Sequence, residues 1–245
     1  MKINPSQTRV ALLAGGRSGE RQISLMSGRG AKEALVEAGF IVTELDPANK
    51  DDLKKLIDED FDIAFLCLHG KYGEDGAMQG FLEVVGLPYI GSNVWSSALA
   101  MDKAKAKVFY SHNGINTPVS ITLTTSEDVD LDKIIALVGD TCVVKPSKEG
   151  STLGVFIVSG KEELQKAIEE ALTFDDQVLV ETYVQGKELT VAVVGNDDAR
   201  ALPIIEIIPT GDFYDFDSKY KPGGSRHVCP AELNDDLTEM IQEHA

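Results

Sequence analysis

The residues able to do chemistry in this 245-residue chain gather in a few short, glycine-bearing stretches. In "VVKPSKEGSTLGVFIV" (143–158), two apolar, β-branched runs flank a loop of small residues carrying Lys145, Lys148, Gly150, Ser151 and Gly154. Glycines let backbone N–H groups approach an anion, and a lysine offsets its charge. The stretch therefore suits a lid over a triphosphate, although a surface hairpin with a solvated lysine fits the same residues. The phosphate loop G-x-x-x-x-G-K-[ST] is absent, and "GGRSGE" (15–20) only approximates a dinucleotide fingerprint. Glu20 closes that motif, where a carboxylate can meet an ammonium group or compensate a helix dipole. His69 ends an apolar run beside Gly70, and the following Glu74 and Asp75 suit hydrogen bonds to their own loop. Lys103 and Lys107 share a helix face at i, i+4 spacing. Lys105 and Lys107 read as a solvated face. Glu181 and Glu188 flank "TYVQGK", which alone reads as an edge strand with exposed acids.

Alternating elements must position these groups. "RVALLAGG" (9–16) reads as a buried strand feeding a loop, and Ile23, Met26, Ala31, Ala34 and Leu35 recur at helical spacing behind it. "IVTELD", "DIAFLCLHG" and "LPYIG" give three more strands, separated by the helices "DLKKLI" and "MQGFLEVV". Such alternation predicts a parallel sheet covered on both faces, with ligands beyond the carboxyl ends of its strands. Those ends are "GGRSGE" and "HGKYGEDG". After Ser92 the pattern changes. One long helix, "MDKAKAKVFYSHNG", precedes the strand "VSITLT", and a helix with Leu131, Ile134, Ile135 and Val138 on one face follows. Next come the 143–158 hairpin, a helix carrying Leu164, Ala167, Ile168 and Ala171, and the strand "QVLVETYV". Residues 188–208 read as two strands around a turn at 196–198. A long polar loop (209–230) and a final helix from Asn234 complete an α+β half with antiparallel pairing. A loop of that length is often a functional lid.

Composition narrows the partners. Forty acidic against 23 basic residues give a formal charge of −17, and no lysine- or arginine-rich run suggests a nucleic acid partner. The three cysteines, Cys67, Cys142 and Cys229, are odd in number and widely spaced. They fit reduced thiols, with Cys67 and Cys142 as small core residues. No stretch predicts a signal peptide or a membrane span, so a cytoplasmic location is expected.

"AGGRSGERQISL", "LHGKYGEDG", "MDKAKAK", "VVKPSKEGSTLGV", "VETYVQGKELTVAV" and "FYDFDSKY" occur in this order. Together they resemble the bacterial D-alanine–D-alanine ligases, from Arg9 onward. The resemblance implies a Rossmann-like parallel α/β domain (1–92) ahead of an ATP-grasp fold, with a small domain (93–181) and a large domain (182–245). It implies that ATP phosphorylates one D-alanine and that the amine of a second attacks the D-alanyl phosphate, for peptidoglycan synthesis. Glu20 would anchor the first substrate's amine and His69 its carboxylate. Lys103 and Lys145 would contact the ATP phosphates, with the hairpin closing over them. Glu181, Tyr183 and Val184 would line the adenine, Glu188 would accept from the ribose hydroxyls, and Lys219 would add charge. Ser151 would tie Glu20 and Tyr220 together on closure, so Glu20, Ser151 and Tyr220 form the expected catalytic set. Tyr220 after a lysine favours D-alanine over D-lactate as second substrate. Relatives are homodimers.

The same resemblance places an arginine, an acidic residue and a Glu-x-Asn-x-x-Pro-Gly motif, which hold Mg²⁺ or Mn²⁺, in a C-terminal segment that 231–245 do not match. Asp235 and Asp236 read instead as first-turn helix acids. No metal ligand is therefore expected within the chain, and a protein ending at Ala245 is expected to be inactive. Two other readings stand beside the ligase: another ATP-grasp carboxylate–amine ligase, or a non-catalytic nucleotide-binding fragment.

Overall fold

The computed structural model describes residues 3–210 and 223–245. Its first sheet is parallel, in the order β2-β1-β3-β4. The strands are β1 (Arg9–Leu13), β2 (Ile41–Leu45), β3 (Ile63–Leu66) and β4 (Tyr89–Ile90), with helices α1 (Arg21–Glu37), α2 (Lys50–Asp58) and α3 (Ala77–Val85) between them. Successive β1 side chains enter opposite cores. Ala11 and Leu13 pack with Leu45, Leu56, Ala64 and Leu82, whereas Leu12 and Ala14 pack with Cys67 and, more openly, Ala31 and Leu35. Burial on both faces is why β1 reads as an unbroken apolar run.

The second sheet is antiparallel, ordered β5-β8-β6-β7. It contains β5 (Ser120–Leu123), β6 (Thr141–Pro146), β7 (Phe156–Ser159) and β8 (Val178–Thr182). Helices α6 (Leu131–Val138) and α7 (Lys161–Ala171) cover one face. There Cys142, Val144, Val178 and Val180 join Ile134, Val138, Leu164, Ala167, Ile168 and Ala171 in the core. Strand alternation sends Val143, Lys145, Leu179 and Glu181 to the other face. Val143 pairs with Glu181 and Lys145 with Leu179, so Lys145 lies diagonally across from Glu181.

A third sheet, β13-β12-β9, joins β9 (Glu188–Thr190), β12 (Ile205–Pro209) and β13 (Ser225–Val228). The chain ends in α8 (Asp235–Glu243), capped by Asn234 Oδ1 accepting from the Leu237 amide at 2.8 Å.

Three expected elements differ, and one of them is the stretch 209–230, expected as a loop, which contains β13. The helix expected over 101–114 is α5 (Lys103–His112), and it is preceded by α4 (Val94–Met101), a helix that the sequence reading did not include. Asp102 separates them with an extended ψ of 91°, and its Oδ1 accepts from the Lys105 amide. An aspartate that caps the following helix leaves the preceding one. The two strands of 188–208 are interrupted as well: β10 (Val193–Val194) and β11 (Arg200–Ala201) form a separate ladder beyond β9 and β12. Thr190 faces Ile205 while Val193 faces Ala201, so the register slips by one residue between the ladders. Pro203, which has no N–H to donate, sits in the slip. The three cysteines are free, with Cys67 and Cys142 buried as expected. No helix among the described residues is long and apolar enough to cross a membrane.

Candidate functional site

On the face of the second sheet opposite α6 and α7, a cleft of about 570 Å³ is lined by Lys145, Glu181, Tyr183, Val184 and Glu188, together with Gln185 to Lys187 and part of β12. Five residues expected to line a nucleotide therefore share one cavity. Val143, Ile157 and Ile207 add apolar wall. Glu181, expected to be an exposed acid if merely structural, is 6% exposed. Its Oε1 accepts from Lys145 Nζ and its Oε2 from Lys107 Nζ at 3.0 Å. Lys107 corrects the sequence reading: its side chain is 14% exposed and also donates to the Pro118 carbonyl at 2.7 Å. Lys105, 70% exposed and paired with Asp102, is the solvated one. A glutamate inside the apolar strand "VLVET" was the signal, because a buried carboxylate requires a cation.

Lys103 sits at the base of the hairpin loop. Its ammonium donates to the Glu149 carbonyl at 2.6 Å and, more loosely, to that of Ser147. Burial, and next the positive charge of Lys145, push its pKa below the ordinary lysine value, while Asp175, Glu149 and Glu20 pull it back. Lys103 thus lies within electrostatic reach of both Lys145 and Glu20. Asp102 and Ser147 lock this corner: the buried Ser147 hydroxyl donates to Asp102 Oδ1 at 3.0 Å. Burial acts to raise the Asp102 pKa, but hydrogen bonds from Lys105 and Ser147 win and hold it below the usual carboxylate value.

Glu20 and His69 emerge from the carboxyl ends of neighbouring parallel strands. Glu20 precedes α1, is 7% exposed and does not cap the helix with its side chain. A β-carbon at Gly70 would lie 2.6 Å from Glu20 Oε2, and one at Gly150 would overlap the same oxygen. The carboxylate is therefore packed between the turn after His69 and the hairpin loop. His69 Nε2 is 3.1 Å from Ser27 Oγ, and its carbonyl accepts from Ser18 Oγ at 2.6 Å. Glu74 and Asp75 shape their loop as expected, accepting from the amides of Gly70, Tyr72 and Ala77.

Ser151 adopts a left-handed φ of 56°, and its buried hydroxyl has no hydrogen-bond partner among the described residues. The expected tie from Ser151 to Glu20 is not made; Gly150 provides the contact. Lys219 and Tyr220 lie outside the described residues.

Three residues that sequence reasoning missed shape the "GGRSGE" turn. Ser24, fully buried, accepts from the Gly15 amide at 2.8 Å and donates to the Cys67 carbonyl at 2.7 Å, joining the ends of β1 and β3. Asp46 accepts from the Gly16 amide and from Arg21 at 2.6 Å, while Arg21 also donates to the Gly16 carbonyl. Burial acts to raise the Asp46 pKa, but these hydrogen bonds outweigh it and leave it below the usual carboxylate value. Gly15 and Gly16 both have positive φ, which only glycine adopts without strain. Among the described residues no cluster of three His, Cys, Asp or Glu side chains is arranged to hold a metal ion.

The arrangement offers a nucleotide-sized cleft with cationic and acidic poles, joined through the hairpin to a buried carboxylate on a Rossmann-like sheet. Comparisons agree with it. A family model described as "D-ala D-ala ligase C-terminus" matches residues 109–245, and one described as "D-ala D-ala ligase N-terminus" matches 44–92. The D-alanine–D-alanine ligase of Halalkalibacterium halodurans is 43% identical over 97% of this chain and 77% of its own length. That of Syntrophobacter fumaroxidans is 44% identical over 96% and 76%. The crystal structure of D-alanine–D-alanine ligase from Bacillus anthracis superposes with a TM-score of 0.81 at 37% identity, covering 97% of this chain and 76% of that one. The same enzyme complexed with ATP gives a TM-score of 0.78 at 34% identity, covering 97% and 75%. The chain spans about three-quarters of the length of these relatives, shares their ATP-grasp architecture, and belongs to the D-alanine–D-alanine ligase family.

Proposed function

We propose that this protein joins two D-alanines at the expense of ATP, through a D-alanyl phosphate, for peptidoglycan synthesis. The observation that carries the reading is the convergence of Lys145, Glu181, Tyr183, Val184 and Glu188 on one cleft, whose hairpin also packs Gly150 on Glu20. Tyr183 and Val184 cover the adenine, and Glu188 accepts from the ribose hydroxyls, a carboxylate having room for two donors. Lys145, with Lys103 behind it, draws the phosphates toward the hairpin.

Glu20 takes the ammonium of the first D-alanine and His69 faces its carboxylate, so that the carboxylate points at the γ-phosphate. Pre-positioning both reactants turns a bimolecular encounter into an intramolecular step. The carboxylate oxygen then bonds to the γ-phosphorus as the bond to ADP breaks. The amine of the second D-alanine attacks the acyl carbon, and phosphate leaves with that oxygen. The hairpin, with Ser151, keeps water from the acyl phosphate; Lys219 and Tyr220, which lie outside the described residues, keep the ATP-binding and catalytic roles that the resemblance implies. Mg²⁺ bound with ATP would offset the phosphate charge. Residues 1–92, 93–181 and 182–245 are the substrate, small and large domains of a cytoplasmic homodimer.

The test is phosphate release with ATP, Mg²⁺ and D-alanine, and chromatography of the product. D-Alanyl-D-alanine and ADP in equal amounts support the reading. Turnover that requires another amino acid, or none with D-alanine, overturns it.

A further inference from the structure

Glu181 holds two cations, and they are not equivalent. Lys107, on α5, is 14% exposed and fixed by two acceptors on separate segments, the Glu181 carboxylate and the Pro118 carbonyl. Lys145, on β6, is 23% exposed and lines the nucleotide-sized cleft, whose lining residues do not include Lys107. Glu181 itself is too buried for water to replace a lost partner. A buried carboxylate stripped of its only cation is strongly destabilised, whereas one that keeps a second cation is not. A triphosphate entering the cleft competes with Glu181 for Lys145.

We propose that Lys107 is the permanent counter-ion of Glu181, a positioning residue that keeps the carboxylate neutralised while Lys145 passes from Glu181 to the nucleotide phosphates. The proposal rests on the nucleotide reading of the cleft given above. With Lys107 in place, the Lys107–Glu181–Lys145 group carries one net positive charge, and the mobile share of it faces the cleft. Without Lys107, Glu181 retains Lys145, and the phosphates lose their partner. Adenosine has no phosphate and depends little on the exchange. This separates the proposal from a merely structural role, which would affect both ligands alike.

The experiment is calorimetric titration of the full-length enzyme with ATP and, separately, with adenosine. Lys107→Met should weaken ATP about tenfold or more and adenosine by less than about threefold, and Lys107→Arg should keep ATP within about threefold of wild type. In K107M/E181Q no carboxylate remains to hold Lys145, so ATP should bind more tightly than to K107M. Unchanged ATP affinity in K107M, or equal losses for both ligands, overturns the proposal. If K107M does not fold, E181Q and K107M/E181Q decide: equal ATP affinities support the proposal and a tenfold gap overturns it. A wild-type enzyme that binds neither ligand refutes the nucleotide reading and the proposal together; wild-type binding with an indifferent K107M refutes the proposal alone.

Discussion

Gly150 packs against the carboxylate of Glu20 so closely that a β-carbon at position 150 would overlap Glu20 Oε2. The contact joins the hairpin of the second sheet to the first loop of the parallel sheet. Gly150 does not adopt a left-handed φ, so an alanine there brings a steric clash without backbone strain. Gly150→Ala should therefore raise KM for D-alanine on the order of tenfold to a hundredfold, because small displacements of reacting groups are costly. Melting temperature should stay within about 2 °C of wild type. Unaltered kinetics would show that the hairpin moves away from Glu20 during turnover.

Ser24 satisfies a buried amide and a buried carbonyl at once. Ser24→Ala leaves both without that partner, at a cost of about 1–3 kcal/mol. For a chain of this size, each 1 kcal/mol lowers the melting temperature by about 2–4 °C. Thermal unfolding checks this, and a variant as stable as wild type would mean that another group takes over the two bonds.

Asp46 titrates below its ordinary value because Arg21 and the amides of Gly16 and Ala48 hold its charged form. A carboxylate depressed in the folded state adds stability above its unfolded pKa of about 3.9, and that contribution fades as pH falls through the folded value. Asp46→Asn should thus melt below wild type near pH 7, with the gap closing below about pH 4. A gap independent of pH would assign the loss to shape rather than charge. Because the Gly15–Gly16 turn leads to Glu20, kcat/KM for D-alanine should also fall, by roughly tenfold.

What was legible in the sequence was periodic. The two-faced run of β1, the helical faces of α6 and α7, and the alternation of "VVK" that turns Lys145 from the core all follow from spacings of two and about 3.6 residues. The grouping of residues 181–188 on one cleft was expected only from the family resemblance, since that segment alone reads as an edge strand with exposed acids. Lys107 was not legible, because its partner on β8 is distant in sequence and neither local pattern records the pairing. Asp46 was missed for the same reason: its acceptor role toward Gly16 depends on β2 lying beside β1. The break at Asp102 was hidden because a capping aspartate reads as helical when apolar residues continue on both sides.

Lys145→Ala should abolish ATP-dependent turnover while leaving the protein folded, since a phosphate contact that strengthens in the transition state contributes to kcat. Circular dichroism and steady-state kinetics at saturating ATP are sufficient. Turnover like that of wild type would make Lys145 a partner of Glu181 and nothing more.

The central claim is that a D-alanine carboxylate oxygen attacks the γ-phosphate and departs with it. Full-length enzyme given D-alanine labelled with ¹⁸O in its carboxylate, together with ATP and Mg²⁺, should release phosphate carrying one ¹⁸O for each dipeptide formed, as mass spectrometry of the phosphate would show. Unlabelled phosphate accompanying dipeptide formation would contradict the acyl phosphate and the placement of Glu20, His69 and Lys145 around it.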